Sequence, residues 1–237
     1  MTFGPEPRVA QAQVGVERID EGLRSYLLQV YNYMGLGLAI TGVVAYFMYA
    51  SGLYVTIAQT PFIWLVMLAP LGFVFFLSAK IHTMSVSTAQ ITFWAFAAVM
   101  GLSLASIFLV FTGASIARVF FITAAMFGAM SLYGYTTKRD LSGWGSFLFM
   151  GLIGIIIAML VNLFLASAAL HFAVSVIGVL VFTGLTAYDT QRIKEMYFQV
   201  GASDMAAKTA IMGALSLYLN FINMFVMLLQ LFGATRE

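Results

Sequence analysis

Two neighbouring stretches, GLTAYDTQRIK (Gly184 to Lys194) and ALSLYLNFINMFVMLLQLFG (Ala214 to Gly233), decide how this chain folds. The second is an apolar run long enough to cross a bilayer. Thr209, Gly213, Ser216, Asn220, Asn223, Met227 and Gln230 recur down it at alternating steps of four and three, which places them on one face of a helix. An amide in hydrocarbon is costly unless it is paired, so a helix with two asparagines and a glutamine on one face belongs among other helices and not against lipid. Residues 209–232 are therefore read as an inner span. Just before it, Asp189 closes the uncharged run His171 to Tyr188, closer to the inside of a span than any other carboxylate of the chain.

Composition agrees. Of 237 residues, 62% are hydrophobic and 8% charged, against about 25% charged in soluble domains, and the mean hydropathy is +0.98. The chain reads as an all-α integral membrane protein with one membrane domain. It has no cysteine, which excludes disulfides, thiolate metal sites and a cysteine nucleophile. A net charge of +2 gives no indication of a nucleic-acid partner.

Seven apolar runs are long enough to span, read at Tyr31–Ala50, Pro61–Ala79, Gln90–Phe111, Ile116–Tyr135, Trp144–Ala166, His171–Tyr188 and Thr209–Phe232. The breaks between them are short, except for a charged sixth one from Asp189 to Lys208. Residues 1–14 read as a disordered polar tail. Residues 15–30, with Val16, Ile19, Leu23, Tyr26, Leu27 and Val30 on one helical face, form either an interfacial amphipathic helix or a polar extension of the first span. The transmembrane domain covers 31–233.

Placing the amino terminus inside puts Arg8, Arg18, Arg24, Lys80, Lys138, Arg139, Arg192, Lys194 and Lys208 on the inner side and Arg118 and Arg236 on the outer. This bias supports a cytoplasmic amino terminus and an odd number of spans. It does not distinguish a full seventh crossing from a re-entrant one. Ala124 with Gly128, Gly151 with Gly154, and Ala206, Ala210 and Ala214 are candidate points of close helix approach.

Asp189 is the first candidate for chemistry. It is either a plain interfacial charge or part of an ion or proton path, since ionisable groups at membrane depth usually mark such paths. Tyr188, Thr186 and Thr183 precede it and offer hydroxyls, while Arg192 and Lys194 follow within two turns. Asn220 is either an ion-coordinating carbonyl or interhelical glue. Asn223 is read as glue, and Asn162 is a further intramembrane amide. His82 and His171 lie at opposite faces and form no zinc site. No metalloprotease, nucleophile-elbow, phosphate-loop or dinucleotide pattern occurs, so neither an enzyme nor a bound cofactor is expected.

SIARVFFITAAMFGAMSLYGYTTKRDLSGWGSF (Ser115 to Phe147), GVLVFTGLTAYDTQRIK (Gly178 to Lys194) and ALSLYLNFINMFVMLLQLFG together resemble the Bax inhibitor-1 (TMBIM) family, in its bacterial YccA-like branch. The similarity runs from about Arg24 to Gly233. It implies a seven-helix bundle of the bacterial inner membrane, with the last helix surrounded by six others. It also implies a pH-sensitive calcium leak controlled by two aspartates in the last two spans. The first falls on Asp189, which would hold calcium weakly and transiently. The second belongs to LYLDFIN, which here reads LYLNFIN with Asn220, so the like charge that would couple the two groups is missing. Ser216, Tyr188 and Asn223 complete the expected ion pathway.

A basic latch in the second span has no match inside Pro61 to Ala79; Lys80, Arg192 and Lys194 are the cations near enough to serve. The branch is further associated with modulation of the membrane-anchored AAA protease FtsH, which offers the alternative function of a regulatory binding protein. A proton-coupled transporter is the weakest reading, since no inverted repeat or pair of broken helices is visible.

Overall fold

A computed structural model describes residues 7–200 and 204–236, the side chains of 7–20 and 204 aside. Among the described residues the chain forms nine helices: α1 (Pro7–Ala50), α2 (Leu53–Ala58), α3 (Phe62–Lys80), α4 (Val86–Leu104), α5 (Ser106–Val110), α6 (Gly113–Thr136), α7 (Ser142–Leu165), α8 (Ala168–Val200) and α9 (Asp204–Phe232). Seven segments are long and apolar enough to cross a membrane, with α4 and α5 together forming the third. Of the lead expected over 1–14, residues 1–6 lie outside the described residues and the rest continues α1. The helix expected over 15–30 runs without a break into the first span.

The third span is built of two helices: the N–H of Ala105 bonds the carbonyl of Leu102, three residues back, at 3.4 Å, and this tight turn separates α4 from α5. One expectation needs correction. The sixth break is not a long loop. α8 continues from Asp189 to Val200, because TQRIKEMYFQ holds good helix formers and no glycine or proline precedes Gly201. Its buried Gln191 and Ile193 tie this charged extension to the bundle.

The packing is organised around α8 and α9. In the most apolar window of α9, 72% of residues are buried, against 11% to 39% in the other spans. α9 packs on α8, α1, α6 and α4, while α3 packs on α4 and α7 on α8. The outer faces carry exposed Trp64, Phe75, Phe147 and Phe164, as expected of surfaces that meet lipid. At the centre, the fully buried Tyr218 hydroxyl lies 2.6 Å from Thr41 Oγ1. Thr41 also donates to the carbonyl of Ala97 at 2.8 Å, which closes a polar knot between α1, α4 and α9.

Of the glycines the sequence suggested, Gly151 does meet a neighbour, with a built Cβ 3.0 Å from Val181 Cγ2, while the closest backbone approaches occur at others. A Cβ at Gly128 or Gly154 would meet nothing within 4 Å. A Cβ at Gly134 would lie 2.9 Å from the carbonyl carbon of Ala187, and one at Gly101 2.6 Å from the carbonyl oxygen of Thr41. These two positions let α6 approach α8 and α4 approach α1 backbone to backbone.

α9 crosses the whole bundle. Lys208 at its start donates to the carbonyl of His82 at 3.3 Å. Past its end, the N–H of Thr112 donates to Ala234 O and that of Arg236 to Val110 O, both at 2.9 Å. At about 1.5 Å per residue, its 29 residues exceed a hydrocarbon core of about 30 Å. The bundle therefore has one basic end, where Lys80, Lys138, Arg139, Arg192, Lys194 and Lys208 gather. The opposite end carries Arg118 and Arg236.

Candidate functional site

The polar stripe of α9 faces α8, and the two helices run antiparallel along it. Gly213 meets Ile193, with a built Cβ 3.0 Å from Ile193 Cγ1. Asn220 Nδ2 donates to Asp189 Oδ2 at 2.7 Å. Thr183 Oγ1 lies 3.3 Å from Met224 Sδ, Met227 Sδ fills the space over Gly178, and Ser175 Oγ donates to Gln230 Oε1 at 2.9 Å. The spacing of four and three thus marks a helix seam in which Asn220, Gln230 and Gly213 each meet a specific counterpart on α8.

Asp189 and Asn220 form the polar centre of that seam. Asn220 is buried, and its amide supplies an N–H to a carboxylate, a charge-assisted bond roughly twice as strong as a neutral one. Asp189, Asn220, Tyr188, Ser216, Asn223 and Arg192 all line one cavity of about 480 Å³. It opens between α7, α8 and α9 near the basic end. Arg192 sits one helical turn beyond Asp189 on the same wall.

Other candidates lie elsewhere. Lys194 donates to the carbonyl of Tyr135 at 3.0 Å and lies over the Tyr135 ring, away from Asp189. Lys80 is exposed at the end of α3 and does not line the cavity. Thr183 and Thr186 donate to carbonyls of their own helix, Val179 and Phe182, and neither bonds Asp189. Asn223 is not interhelical glue either: its Nδ2 donates to Leu219 O one turn back at 2.8 Å, leaving the side chain on the cavity wall. Asn162 Oδ1 accepts from the N–H of Ser167 at 2.9 Å and so ties the α7–α8 turn back to α7. No group of three or more histidine or acidic side chains placed to hold a metal occurs among the described residues.

Two contributions escaped the sequence reading. The third wall comes from α7, through Gly145, Ser146, Phe149 and Leu152. At Gly145 a Cβ would lie 2.5 Å from the Tyr188 ring, so the absence of a side chain there lets that ring approach α7 closely. The signal was the pair of glycines in GWGSF. The second is Gln191. Its Oε1 accepts from the N–H of Leu141 at 2.8 Å and its Nε2 donates to Arg139 O at 2.9 Å. It pins the α6–α7 loop two residues from Asp189. Reading 189–208 as a loop hid this role. In the pinned loop, the side chain and backbone of Ser142 hold the Asp140 carboxyl below its ordinary range.

Comparison with known proteins gives a consistent picture. The family described as inhibitor of apoptosis-promoting Bax1 matches over residues 23–237. The chain is 51% identical over 219 residues to the inner membrane protein YbhL of Escherichia coli (strain K12), covering 91% of this chain and 94% of that one. It is 51% identical to an uncharacterized protein of Rickettsia prowazekii over 92% and 93% of the two chains. An uncharacterized protein of Caulobacter vibrioides is 45% identical over 92% of each.

Proposed function

The chain belongs to the Bax inhibitor-1 family, and from that premise we propose that it is a pH-sensitive passive leak for calcium or a similar cation, gated by protonation at Asp189. It is a seven-span membrane protein. On this reading it sits in a bacterial inner membrane with its basic end and amino terminus in the cytoplasm, as the basic excess favours. The observation that carries the proposal is the hydrogen-bonded Asp189–Asn220 pair lining an open cavity between α7, α8 and α9.

An ionised Asp189 attracts a cation into the cavity. Ser216, Tyr188 and the Asn220 carbonyl offer further oxygens on the same walls. Calcium prefers six to eight oxygen ligands, so water completes its shell, and such a site releases its ion as readily as it takes it. The ion is cargo and not a resident metal. A proton on Asp189 removes the attracting charge and the charge-assisted bond from Asn220, so proton occupancy controls both the cation's affinity and the α8–α9 contact.

Purified protein in liposomes, assayed for calcium entry from pH 5 to 8, tests this. The wild type should conduct with a pH-dependent rate, and Asp189→Asn should lose most of the pH response. A folded wild-type protein that moves no cation at any pH would refute the proposal.

A second reading, modulation of a membrane-anchored AAA protease, is supported by the helical extension of α8. That extension presents Arg192, Glu195, Phe198 and Gln199 exposed at the basic end, a surface available to a partner.

A further inference from the structure

We infer that the seam between α7, α8 and α9 is the conducting path itself, with a second polar mouth at the far end and Met227 as its constriction. This rests on the leak reading above. The second mouth is a cavity of about 470 Å³ lined by Asn162, Ser167, His171, Ser175 and Gln230. It is built by the same three helices as the Asp189 cavity, at the opposite end of the bundle. It also collects Asn162, His171 and Gln230, which the Asp189 site leaves unused.

From Ser175 to Asp189 is fourteen residues, about 21 Å along α8 at 1.5 Å per residue. Polar side chains line both ends of that distance. The middle is closed by apolar groups: Met227 Sδ sits in the slot left by Gly178, and Phe182 and Leu185 border the inner cavity. Gly178 to Leu185 spans about 10 Å, long enough to exclude water when packed and short enough to wet when one side chain leaves. Hydrophobic constrictions gate by this kind of dewetting. Methionine suits the position because three rotatable bonds let it vacate a slot without backbone movement. The slot exists because residue 178 has no Cβ; any side chain there would collide with the Met227 sulfur.

The pathway places the Asp189–Asn220 bond and the Met227 plug on the same pair of helices, seven residues apart on α9. Loosening the polar pair therefore frees α9 to shift against α8 where Met227 is seated. The carboxylate acts as the sensor and the thioether as the barrier.

The chain has no native cysteine, so introduced thiols are unique. Calcium entry into liposomes would be compared for wild type, Met227→Ala, Met227→Leu and two cysteine variants, Gln230→Cys and Ala114→Cys. The last lies at the same end of the bundle but off the seam. Met227→Ala should raise the leak several-fold, while Met227→Leu, which keeps the plug's bulk but vacates the slot less readily, should lower it below wild type. A membrane-impermeant cationic thiosulfonate should suppress the leak of Gln230→Cys and leave Ala114→Cys unchanged. The cysteine pair tests the path even if Met227→Ala fails to fold. A wild-type leak that neither Met227→Ala nor modification at 230 alters would overturn the seam while leaving the leak itself standing. Absence of a leak in every variant would overturn both.

Discussion

Asn220→Asp is the perturbation that interrogates the site most directly. The amide nitrogen of Asn220 lies 2.7 Å from Asp189 Oδ2, and aspartate is close to isosteric with asparagine, so the substitution puts a second carboxylate where a donor now sits. With charge centres about 4 Å apart and an effective dielectric of about 20, two ionised carboxylates repel by about 4 kcal/mol. One pH unit corresponds to about 1.4 kcal/mol, so the ceiling on the displacement is about three units. Water in the cavity reduces this, and a displacement of at least about one unit remains. The sign follows from the pair: one shared proton is kept to a higher pH than a lone carboxylate keeps its own, so the flux midpoint moves up. Calcium entry into liposomes from pH 5 to 8 gives the midpoint for wild type, each single variant and the double. Asp189→Asn should flatten the profile when residue 220 is asparagine, because no other carboxylate lines the cavity. In Asn220→Asp/Asp189→Asn a lone carboxylate returns and should lack the upward displacement. An Asn220→Asp profile that overlays wild type would refute electrostatic coupling between these positions.

Four further outcomes are expected. Reporters fused after Leu141 and after Ala168 should read cytoplasmic and external; the reverse would invert the membrane orientation. Gly134→Ala drives a Cβ against the Ala187 backbone and should cost about 1–3 kcal/mol or more, whereas Gly128→Ala meets open space and should be neutral or stabilising by up to about 1 kcal/mol through helix propensity; thermal midpoints in detergent separate the two. Gln191→Leu strands the buried Leu141 N–H at a cost of about 1–3 kcal/mol, and amide exchange in 137–141 should rise while the helices stay protected. If α8 presents a partner surface, Phe198→Ser with Glu195→Lys should reduce co-purification of a membrane protease without changing calcium entry.

How much could be read without coordinates follows from the kind of signal each feature leaves. Amides at steps of four and three on an apolar helix call for enclosure by other helices, so the inner place of α9 was legible from Asn220 and Gln230, while the pairing of these two with Asp189 and Ser175 of α8 depends on register that only the fold supplies. Hydropathy is blind to the second half of α8. It marks where lipid ends, and the helix beyond Tyr188 is held by propensity and by the burial of Gln191 and Ile193. The glycines show the same limit. Spacing four apart suggested Gly128, but what matters is whether another backbone lies opposite, and that depends on tertiary register: Gly134 has the Ala187 carbonyl beside it and Gly128 has nothing.

The third wall of the cavity makes the point for function. Asp189 needs an enclosing surface on the side away from α9 if it is to hold an ion out of lipid, and a helix made almost wholly of apolar residues supplies it. α7 does so through absent side chains. Gly145 admits the Tyr188 ring and Gly151 faces Val181, with a built Cβ 3.0 Å from Val181 Cγ2. A polar stripe on α9 therefore identifies the charged half of the site, while the half that shapes the cavity is written in glycines whose meaning depends on which helix lies across from them.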